Sequence, residues 1–361
     1  MKVVFRVDTS AVIGAGHFMR CVTLASALKE NGVQVHFICR SLPEHFRSLL
    51  RKQELEFRLF NQIFRNGESD DHSSSQSPVA FQEEDSRETI NAIGDVDFDW
   101  LIVDHYGLDR IWESLLKNRV KHLMVLDDLA DREHRCEILL DPTYGETSIR
   151  YEHLVPADCR ILCGSEFALL RPQFSLSRQS IERVLPPGEE ARVHLFFGSS
   201  DTANHTARFS RMLLVNFPSI TLSAVVGRDY EPVEQLEELS VEYGARFRWD
   251  ADLADMAGSI KECDVAIGAP GGTTWERACI GLPSAYLAVA RNQIPILERL
   301  ESSGLCVYLG EAGGLEEGPF LSKMHAFLSD VPALRSMRSV GMRAVDGLGT
   351  DRVVSAIREL C

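Results

Sequence analysis

Short apolar runs of strand type alternate with amphipathic stretches through the first half of this 361-residue chain. The runs are Lys2 to Val7, Val33 to Cys39, Trp100 to Asp104, His122 to Asp127 and Glu137 to Leu140. Strands that are apolar on both faces and separated by helices are typical of a parallel sheet covered by helices. The pattern therefore predicts an α/β fold.

The same alternation starts again after Pro186-Pro187-Gly188, with runs near residues 193–197, 222–226, 247–249, 265–267 and 284–287. The length and the 45% hydrophobic content suffice for two globular domains. We predict two Rossmann-like parallel-sheet domains, residues 1–180 and 181–361, with a closing helix from Asp351 to Leu360. A cleft between them is the expected ligand site. The polar stretch from Arg65 to Ser86 predicts a mobile surface loop.

Charge and cysteine usage restrict the partners. The formal net charge of -15 argues against nucleic acid or an anionic membrane, because both select basic surfaces. Nine cysteines without a Cys-x-x-Cys pair are typical of a reducing cytosol. The first residues favour a strand over a secretory signal, and no run approaches membrane-spanning length. We expect a cytoplasmic monomer that binds a small molecule and has no stable membrane association.

The first candidate site is Gly14-Ala15-Gly16-His17, where the first strand gives way to a helix that runs from His17 to Asn31. Ligands of open α/β sheets bind at the carboxyl ends of strands, and an imidazole moves protons near neutral pH. Alternatively, the glycines only permit unusual backbone angles and His17 only opens the helix. The dinucleotide fingerprint is not matched, because Met19 or Arg20 occupies its third glycine position, so no nicotinamide cofactor is expected.

The second candidate site lies where the strand ending at Ile267 leads into another helix. Gly271 and Gly272 allow a diphosphate to approach backbone amides, and the hydroxyls of Thr273 and Thr274 favour its charge together with the helix dipole. Glu276, one turn further on, is placed to reach ribose hydroxyls. Alternatively Thr273-x-x-Glu276 is a capping box that needs no ligand. The two interpretations are compatible if Thr273 caps and Glu276 faces the ligand.

Three more loops bring polar side chains to strand ends. They contain Tyr106 in Asp104-His105-Tyr106-Gly107, Asp201 in Gly198-Ser199-Ser200-Asp201, and the pair Asn292-Gln293. Each also has a structural interpretation, with His105 a buried and satisfied histidine, Asp201 a helix cap, and the amides ordinary helix-start residues.

A pair of neighbouring carboxylates, Asp127-Asp128, follows another strand. Adjacent strand residues point to opposite faces, so we favour a turn or a cap there over a catalytic pair. The histidines have no His-x-x-x-His or His-Glu-x-x-His spacing, and no metal is expected.

Taken in order, these motifs form a pattern. The chain resembles the UDP-2,4-diacetamido-2,4,6-trideoxy-β-L-altropyranose hydrolases of pseudaminic acid biosynthesis. The resemblance lies in residues 13–17 with Arg20-Cys21, in Val103 to Gly107, in Ala168-Leu169-Leu170-Arg171-Pro172, and in the segment from Asp255 through Glu276 to Gln293. The second half also looks like the donor half of the UDP-N-acetylglucosamine transferase that makes lipid II. The resemblance covers nearly the whole chain.

The resemblance implies a GT-B fold that holds a UDP-sugar of bacterial surface glycan synthesis. His17 falls on the catalytic histidine of the hydrolases, which acts as base on a water that attacks the anomeric carbon. The carbon-oxygen bond breaks with inversion, and UDP leaves without a metal or other cofactor. The implied substrate-binding residues are Gly16, Arg20, Tyr106, Asp201, Asn292 and Gln293. The nucleotide would lie on Leu253 (uracil), Gly271, Gly272, Thr273 and Thr274 (diphosphate) and Glu276 (ribose).

Two other functions remain open at this point. A glycosyltransferase of the same fold would pass the sugar to an acceptor hydroxyl instead of water. A binding or scaffold protein would hold the nucleotide sugar without turnover, with His17 serving only the structure. Replacement of His17 separates these hypotheses, because it abolishes hydrolysis while leaving UDP affinity nearly unchanged.

Overall fold

The computed structural model describes residues 1–9, 15–60, 77–179 and 190–360. The chain forms two compact units. The first consists of Met1–Leu170 with Leu348–Cys361, and the second of Arg171–Gly347. This division differs from the predicted one, which put residues 1–180 in the first domain and the closing helix in the second. Gly14 and the Pro186-Pro187-Gly188 break lie outside the described residues.

The first unit is built on a seven-stranded sheet in which every pair of neighbouring strands is parallel. The strands are β1 (Lys2–Val7), β2 (Gln34–Cys39), β3 (Glu56–Leu59), β4 (Phe98–Asp104), β5 (Val120–Leu126), β6 (Ile138–Asp141) and β7 (Arg160–Cys163), and their order is β3-β2-β1-β4-β5-β6-β7. The helices that accompany them are α1 (Gly16–Glu30), α2 (Glu44–Lys52), α3 (Val79–Ile93) and α4 (Arg110–Leu116).

The second unit repeats this architecture with a six-stranded parallel sheet. Its helices are α5 (Pro172–Gln179), α6 (His205–Asn216), α7 (Val233–Tyr243), α8 (Met256–Glu262), α9 (Gly272–Ile280), α10 (Ile294–Ser302), α11 (Glu317–Ser329) and α12 (Val331–Ala344). Its strands are β8 (Arg192–Phe196), β9 (Thr221–Val226), β10 (Phe247–Ala251), β11 (Val265–Gly268), β12 (Ser284–Ala288) and β13 (Val307–Glu311), in the order β10-β9-β8-β11-β12-β13.

Strand order reverses once in each sheet, between β1 and β4 in the first unit and between β8 and β11 in the second. At such a point the loops that follow the two central strands diverge and leave a crevice in which ligands bind. The residues after β1, β4, β8 and β11 are therefore the ones that the fold places best for chemistry. The predicted α/β class with two Rossmann-like parallel sheets is confirmed.

The ten strands predicted from apolar runs are all present, whereas β3, β7 and β13 were missed. The missed strands form edges of the two sheets. Strand β3, for example, alternates exposed and half-buried residues because one side of it has no neighbouring strand. An edge strand therefore lacks the continuous apolar run that identifies a central parallel strand.

The polar segment predicted as a loop contains the start of a helix. Residues 65–76 lie outside the described part, but α3 begins at Val79, so the loop prediction is wrong from there to Ser86. Asp85 is fully buried and pairs with the buried Arg6 at 2.5 Å. The polar residues of this helix are needed inside the protein, because they neutralise a buried guanidinium.

The last helix, α13 (Gly349–Glu359), packs in the core of the first unit, where Val353 and Ile357 are fully buried. Each such aliphatic side chain contributes roughly 1.5–3 kcal/mol when it is buried. The Thr350 hydroxyl donates a hydrogen bond to the carbonyl of Leu170 at 2.8 Å. The chain thus returns to the first unit after it has completed the second. No helix among the described residues is long and apolar enough to span a bilayer.

Gly349 lies where the chain re-enters the first unit, and no larger residue fits there without a shift of the backbone. A Cβ on it would lie 2.4 Å from the carbonyl oxygen of Ala168. Gly349→Ala is expected to destabilise the first unit by about 1–3 kcal/mol, since the backbone on both sides must move apart. Urea unfolding followed by circular dichroism measures the change. Gly313→Ala is the matched control, because nothing lies within 4 Å of a Cβ there. Equal midpoints for the two variants would contradict the prediction.

Candidate functional site

Asp104, the last residue of β4, is the centre of a charged cluster in the first unit. Its Oδ1 lies 2.5 Å from Nδ1 of His17, and its Oδ2 accepts a hydrogen bond from Nε of Arg20 at 2.6 Å. The Arg20 Nη2 also donates to Oδ1 at 2.7 Å. Burial by itself would raise the pKa of Asp104, but Arg20 and His17 hold it well below its usual range. Asp104 is therefore an ionised carboxylate.

The ionised state of Asp104 decides which nitrogen of His17 carries the proton. A carboxylate offers no proton, so the 2.5 Å contact requires an N–H on Nδ1 of His17. Arg20 Nη2, which donates to Asp104, lies 3.0 Å from the same nitrogen. A neutral imidazole whose proton is on Nδ1 has a lone pair on Nε2. His17 is the second residue of α1, and its contact with Asp104 ties the ring to the end of β4.

Tyr106 and Asp128 complete the cluster. The Tyr106 hydroxyl donates to Asp128 Oδ1 at 2.7 Å, and Arg20 Nη1 donates to Asp128 Oδ2 at 3.1 Å. The Tyr106 and His17 rings meet edge to face, with centroids 4.6 Å apart. Burial, and then the charge of Asp128, raise the pKa of Tyr106, so the phenol stays protonated.

A second buried group supports the loop that carries Tyr106. His105 Nδ1 accepts the backbone N–H of Gly107 at 3.0 Å, and its Nε2 lies 3.6 Å from Asp8 Oδ2. Burial, and then the charge of Arg6, lower the pKa of His105 to about 4, so the ring is neutral at pH 7. Arg6 lies 2.7 Å from the same Asp8 oxygen. His105 is thus a buried and satisfied histidine that holds the turn in place.

In the second unit the glycine loop after β11 leads into α9. Gly271 and Gly272 are exposed, and the Gly271 N–H donates to the Thr274 hydroxyl at 3.2 Å. Thr274, not Thr273, therefore caps this helix, and the predicted Thr273-x-x-Glu276 capping box is wrong. The reason is that α9 begins at Gly272, two residues earlier than a cap by Thr273 requires. Thr273 is half-buried and its hydroxyl takes no part in the cap.

Glu276 pairs with Arg171 instead of capping the helix. Arg171 Nη2 lies 3.4 Å from Glu276 Oε1, and its Nη1 donates to the carbonyl of Ala254 at 3.4 Å. Burial raises the pKa of Glu276, and Arg171 offsets that effect only in part. Arg171 thereby joins α9 to the segment around Leu253, which is half-buried. Arg171 therefore connects the helix that carries the ribose candidate, Glu276, with the segment that carries the uracil candidate, Leu253.

The other predicted residues of the second unit serve the backbone. Asp201 accepts the N–H groups of His205 and Thr206 at 2.9 and 2.8 Å, which are the first amides of α6. Gln293 Oε1 accepts the N–H of Val289 at 2.9 Å, while Asn292 is exposed. Asp201 and Gln293 therefore have the structural roles that the sequence also allowed, and Asn292 keeps its side chain available.

Sequence reasoning missed two residues of the first cluster. Asp104 was noted only as part of a polar loop, and Asp128 was interpreted as a turn residue. That interpretation fits its neighbour instead, because Asp127 Oδ2 accepts the Ala130 N–H at 2.9 Å and Asp127 pairs with Arg132. The alternation of strand residues was the available signal, since it sends the two carboxylates to different places.

The described part of the chain contains no group of three or more His, Cys, Asp or Glu side chains arranged to hold a metal ion. The Asp104 carboxylate is instead occupied by Arg20 and His17. Metal independence of any reaction here stays a prediction.

Sequence comparisons agree with the resemblance. The chain is 34% identical over 177 residues to the UDP-2,4-diacetamido-2,4,6-trideoxy-β-L-altropyranose hydrolase of Campylobacter jejuni, which is 48% of this chain and 53% of that protein. It is 23% identical over 226 residues to the spore coat polysaccharide biosynthesis protein SpsG of Bacillus subtilis, 62% of this chain and 65% of SpsG. The matches thus span about half to two thirds of these relatives. No protein-family model matches the chain.

Structural comparisons confirm a GT-B fold. MurG of Acinetobacter baumannii matches with a TM-score of 0.67 and 14% identity, over 99% of this chain and all of that one. The spinosyn rhamnosyltransferase SpnG matches with a TM-score of 0.67 and 14% identity over the full length of both chains. At such identities the likeness extends to the fold alone.

Asp104→Asn tests the charged cluster. An amide cannot neutralise Arg20, so we expect a loss of about 2–4 kcal/mol in the free energy of unfolding of the first unit at pH 7. The pKa of Asp104 is lower in the folded than in the unfolded chain, where it is about 3.9. Its pairing therefore stabilises the fold above that pH, and the contribution is lost as the pH falls below it.

Urea titrations at pH 7 and at successively lower pH measure both effects. Asp99→Asn is the matched control, because Asp99 lies on the same strand and is partly exposed beside Lys121. The gap between Asp104→Asn and the wild type should narrow below pH 4. A gap that stays constant with pH would rule out an ionised Asp104 as its cause.

Proposed function

We propose that this protein hydrolyses a UDP-linked diacetamido-trideoxy sugar and releases UDP. The observation that carries the proposal is the contact of His17 Nδ1 with the ionised Asp104, which leaves Nε2 as a base of fixed orientation. The hydrolase of Campylobacter jejuni, at 34% identity, supports the substrate class. UDP-2,4-diacetamido-2,4,6-trideoxy-β-L-altropyranose is the proposed substrate, in pseudaminic acid or related nonulosonate synthesis.

The proposed reaction begins with a water held by His17 Nε2. As the water oxygen attacks the anomeric carbon, its proton passes to Nε2, and the bond between that carbon and the diphosphate oxygen breaks. The imidazolium that forms is stabilised by Asp104 at 2.5 Å. UDP leaves as a stable anion, and attack opposite to it inverts the anomeric centre. Inversion, metal independence, a monomeric state and a cytoplasmic location all stay predictions.

The nucleotide is assigned to the second unit. The exposed Gly271 and Gly272 form the N-terminus of α9, whose first amides and dipole favour a diphosphate. Glu276 is placed to accept hydrogen bonds from ribose hydroxyls, and the backbone near Leu253 to bind uracil. For the sugar we propose Gly16, Arg20, Tyr106 and Asn292. The backbone bonds of Asp201 and Gln293 give these two residues an indirect role in shaping their loops.

A glycosyltransferase is the second candidate, because SpnG shares the fold over its full length. The same histidine would then take a proton from an acceptor hydroxyl. UDP release without an acceptor separates the two functions. Release at the full rate supports the hydrolase, whereas release only after addition of a sugar acceptor supports the transferase.

His17→Ala is the test of the chemical step. We expect turnover of the proposed substrate to fall about 100- to 10,000-fold, because the base is lost. UDP affinity should stay within about twofold, since the nucleotide residues lie in the other unit. UDP release in the presence of EDTA and calorimetry with UDP measure the two effects. His325→Ala, on α11, is the control. Unchanged turnover in His17→Ala would refute the proposed base.

Glu276→Gln tests the ribose contact. We expect the variant to bind UDP about tenfold more weakly than the wild type, because a charged acceptor is lost. Its affinity for 2′-deoxy-UDP should fall by a smaller factor. A smaller effect on the deoxynucleotide identifies the hydroxyl as the partner of Glu276. Titration calorimetry with both nucleotides measures the difference, and Glu262→Gln, exposed at the end of α8, is the control. Equal losses for both nucleotides would mean that Glu276 does not recognise the 2′-hydroxyl.

A further inference from the structure

Arg277 is a fully buried arginine in the second unit. It follows Glu276 on α9, and its guanidinium lies at the carboxyl end of β11. Nη2 is 3.3 Å from the carbonyl oxygen of Ile267 and 3.2 Å from Nδ1 of His194. Nε and Nη1 are buried and have no hydrogen-bond partner within the described ranges. Nor does any carboxylate of those residues form an ion pair with Arg277.

A guanidinium left in this state destabilises a protein, because a buried charge loses its hydration and gains little in return. The neighbours do not neutralise it. Burial, and then the charge of Arg277, hold the pKa of His194 far below its usual range, so that ring is neutral. The Tyr286 ring lies 5.5 Å from the guanidinium carbon and provides a cation-π contact without a negative charge. The side chain therefore keeps a positive charge that no carboxylate of the described residues pairs with directly.

The acidic residue that precedes Arg277 in the sequence, Glu276, is shared with a second arginine. Glu276 pairs with Arg171 at 3.4 Å, and it also interacts electrostatically with Arg277. One carboxylate thus faces two guanidinium groups.

Gly268 shows how close the guanidinium comes to that loop. A Cβ on Gly268 would lie 3.2 Å from Arg277 Nη2 and 1.8 Å from the carbonyl oxygen of Phe196. Gly268 ends β11, and the exposed Gly271 and Gly272 follow after Ala269 and Pro270. Helical side chains point back toward the helix N-terminus, which directs Arg277 to the same end of α9. The guanidinium therefore lies beside the residue at which the chain leaves β11 toward the glycine loop.

We propose that Arg277 is a buried charge that attracts the diphosphate of the nucleotide and sets the preference for a diphosphate over a neutral nucleoside. The inference rests on the proposed function, because it assumes a nucleotide on the Gly271-Gly272 loop. Arg277 does not touch the nucleotide and acts on the diphosphate through the electric field of its charge. Charges inside a protein act through a lower effective dielectric than water and are screened less by salt.

Arg277→Met is the central experiment, because methionine fills similar space without charge. Calorimetry with uridine, UMP and UDP at one ionic strength measures the preference. We expect UDP affinity to fall about tenfold, since one unit charge is removed near the diphosphate. Uridine affinity should stay within about twofold of the wild-type value, and the loss of UMP affinity should lie between the losses for uridine and UDP. In Arg277→Lys, which keeps the charge, the ratio of UDP to uridine affinity should stay close to that of the wild type.

Stability without ligand provides a second and independent measurement. Because the burial of an uncompensated charge is unfavourable, Arg277→Met should unfold at a urea concentration no lower than the wild type. Arg178→Met is the matched control. Arg178 donates to the carbonyls of Cys279 and Val345 at 3.1 and 2.9 Å, so its loss should lower stability without a selective effect on UDP.

The outcomes separate the two proposals. No UDP binding by the wild type would overturn the proposed function. Wild-type binding with an unchanged ratio of UDP to uridine affinity in Arg277→Met would overturn the inference alone. A parallel loss of uridine and UDP, or failure of both Arg277→Met and Arg277→Lys to fold, would assign Arg277 a structural role and overturn the inference as well.

Discussion

The candidate chemistry of the first unit depends on one buried carboxylate, that of Asp104. It joins the end of β4 to the first turn of α1 through His17 and Arg20, at 2.5 and 2.6 Å. Two cationic or proton-donating groups keep it ionised, and its ionised state in turn fixes the proton of His17 on Nδ1. The orientation of the ring, its tautomer and the position of Arg20 are thus consequences of a single charge placed where strand order reverses.

The two units use the same sheet topology for different physical tasks. In the first unit, charged side chains are paired with one another, and Arg20 contacts the two carboxylates of Asp104 and Asp128. In the second unit, the loop after β11 exposes backbone, and the nearby Arg277 forms no ion pair with a carboxylate of the described residues. A paired cluster of fixed geometry suits proton transfer. Exposed amides at a helix N-terminus suit an anion that binds and dissociates.

Local patterns were sufficient for the fold and for part of the candidate sites. Continuous apolar runs identified the central strands, and the glycines identified the loop before α9. They were insufficient wherever a second element decides the outcome. Thr273 fits a capping box in sequence, yet α9 starts two residues earlier than that cap requires, and Thr274 makes the cap. Asp85 lies in a polar segment, yet Arg6 draws it into the core.

The sequence by itself determined the alternation of strands and helices, the place of His17 at a strand-to-helix loop and the acidic pair at 127–128, because these depend on neighbours in the chain. Tertiary structure decided what those groups contact. His17 meets Asp104, 87 residues away, and Arg20 meets Asp128, 108 residues away. It also placed α13 with the first unit, where its apolar face is buried. Such contacts join distant parts of the chain, and only the packing of the sheet brings them within hydrogen-bond distance.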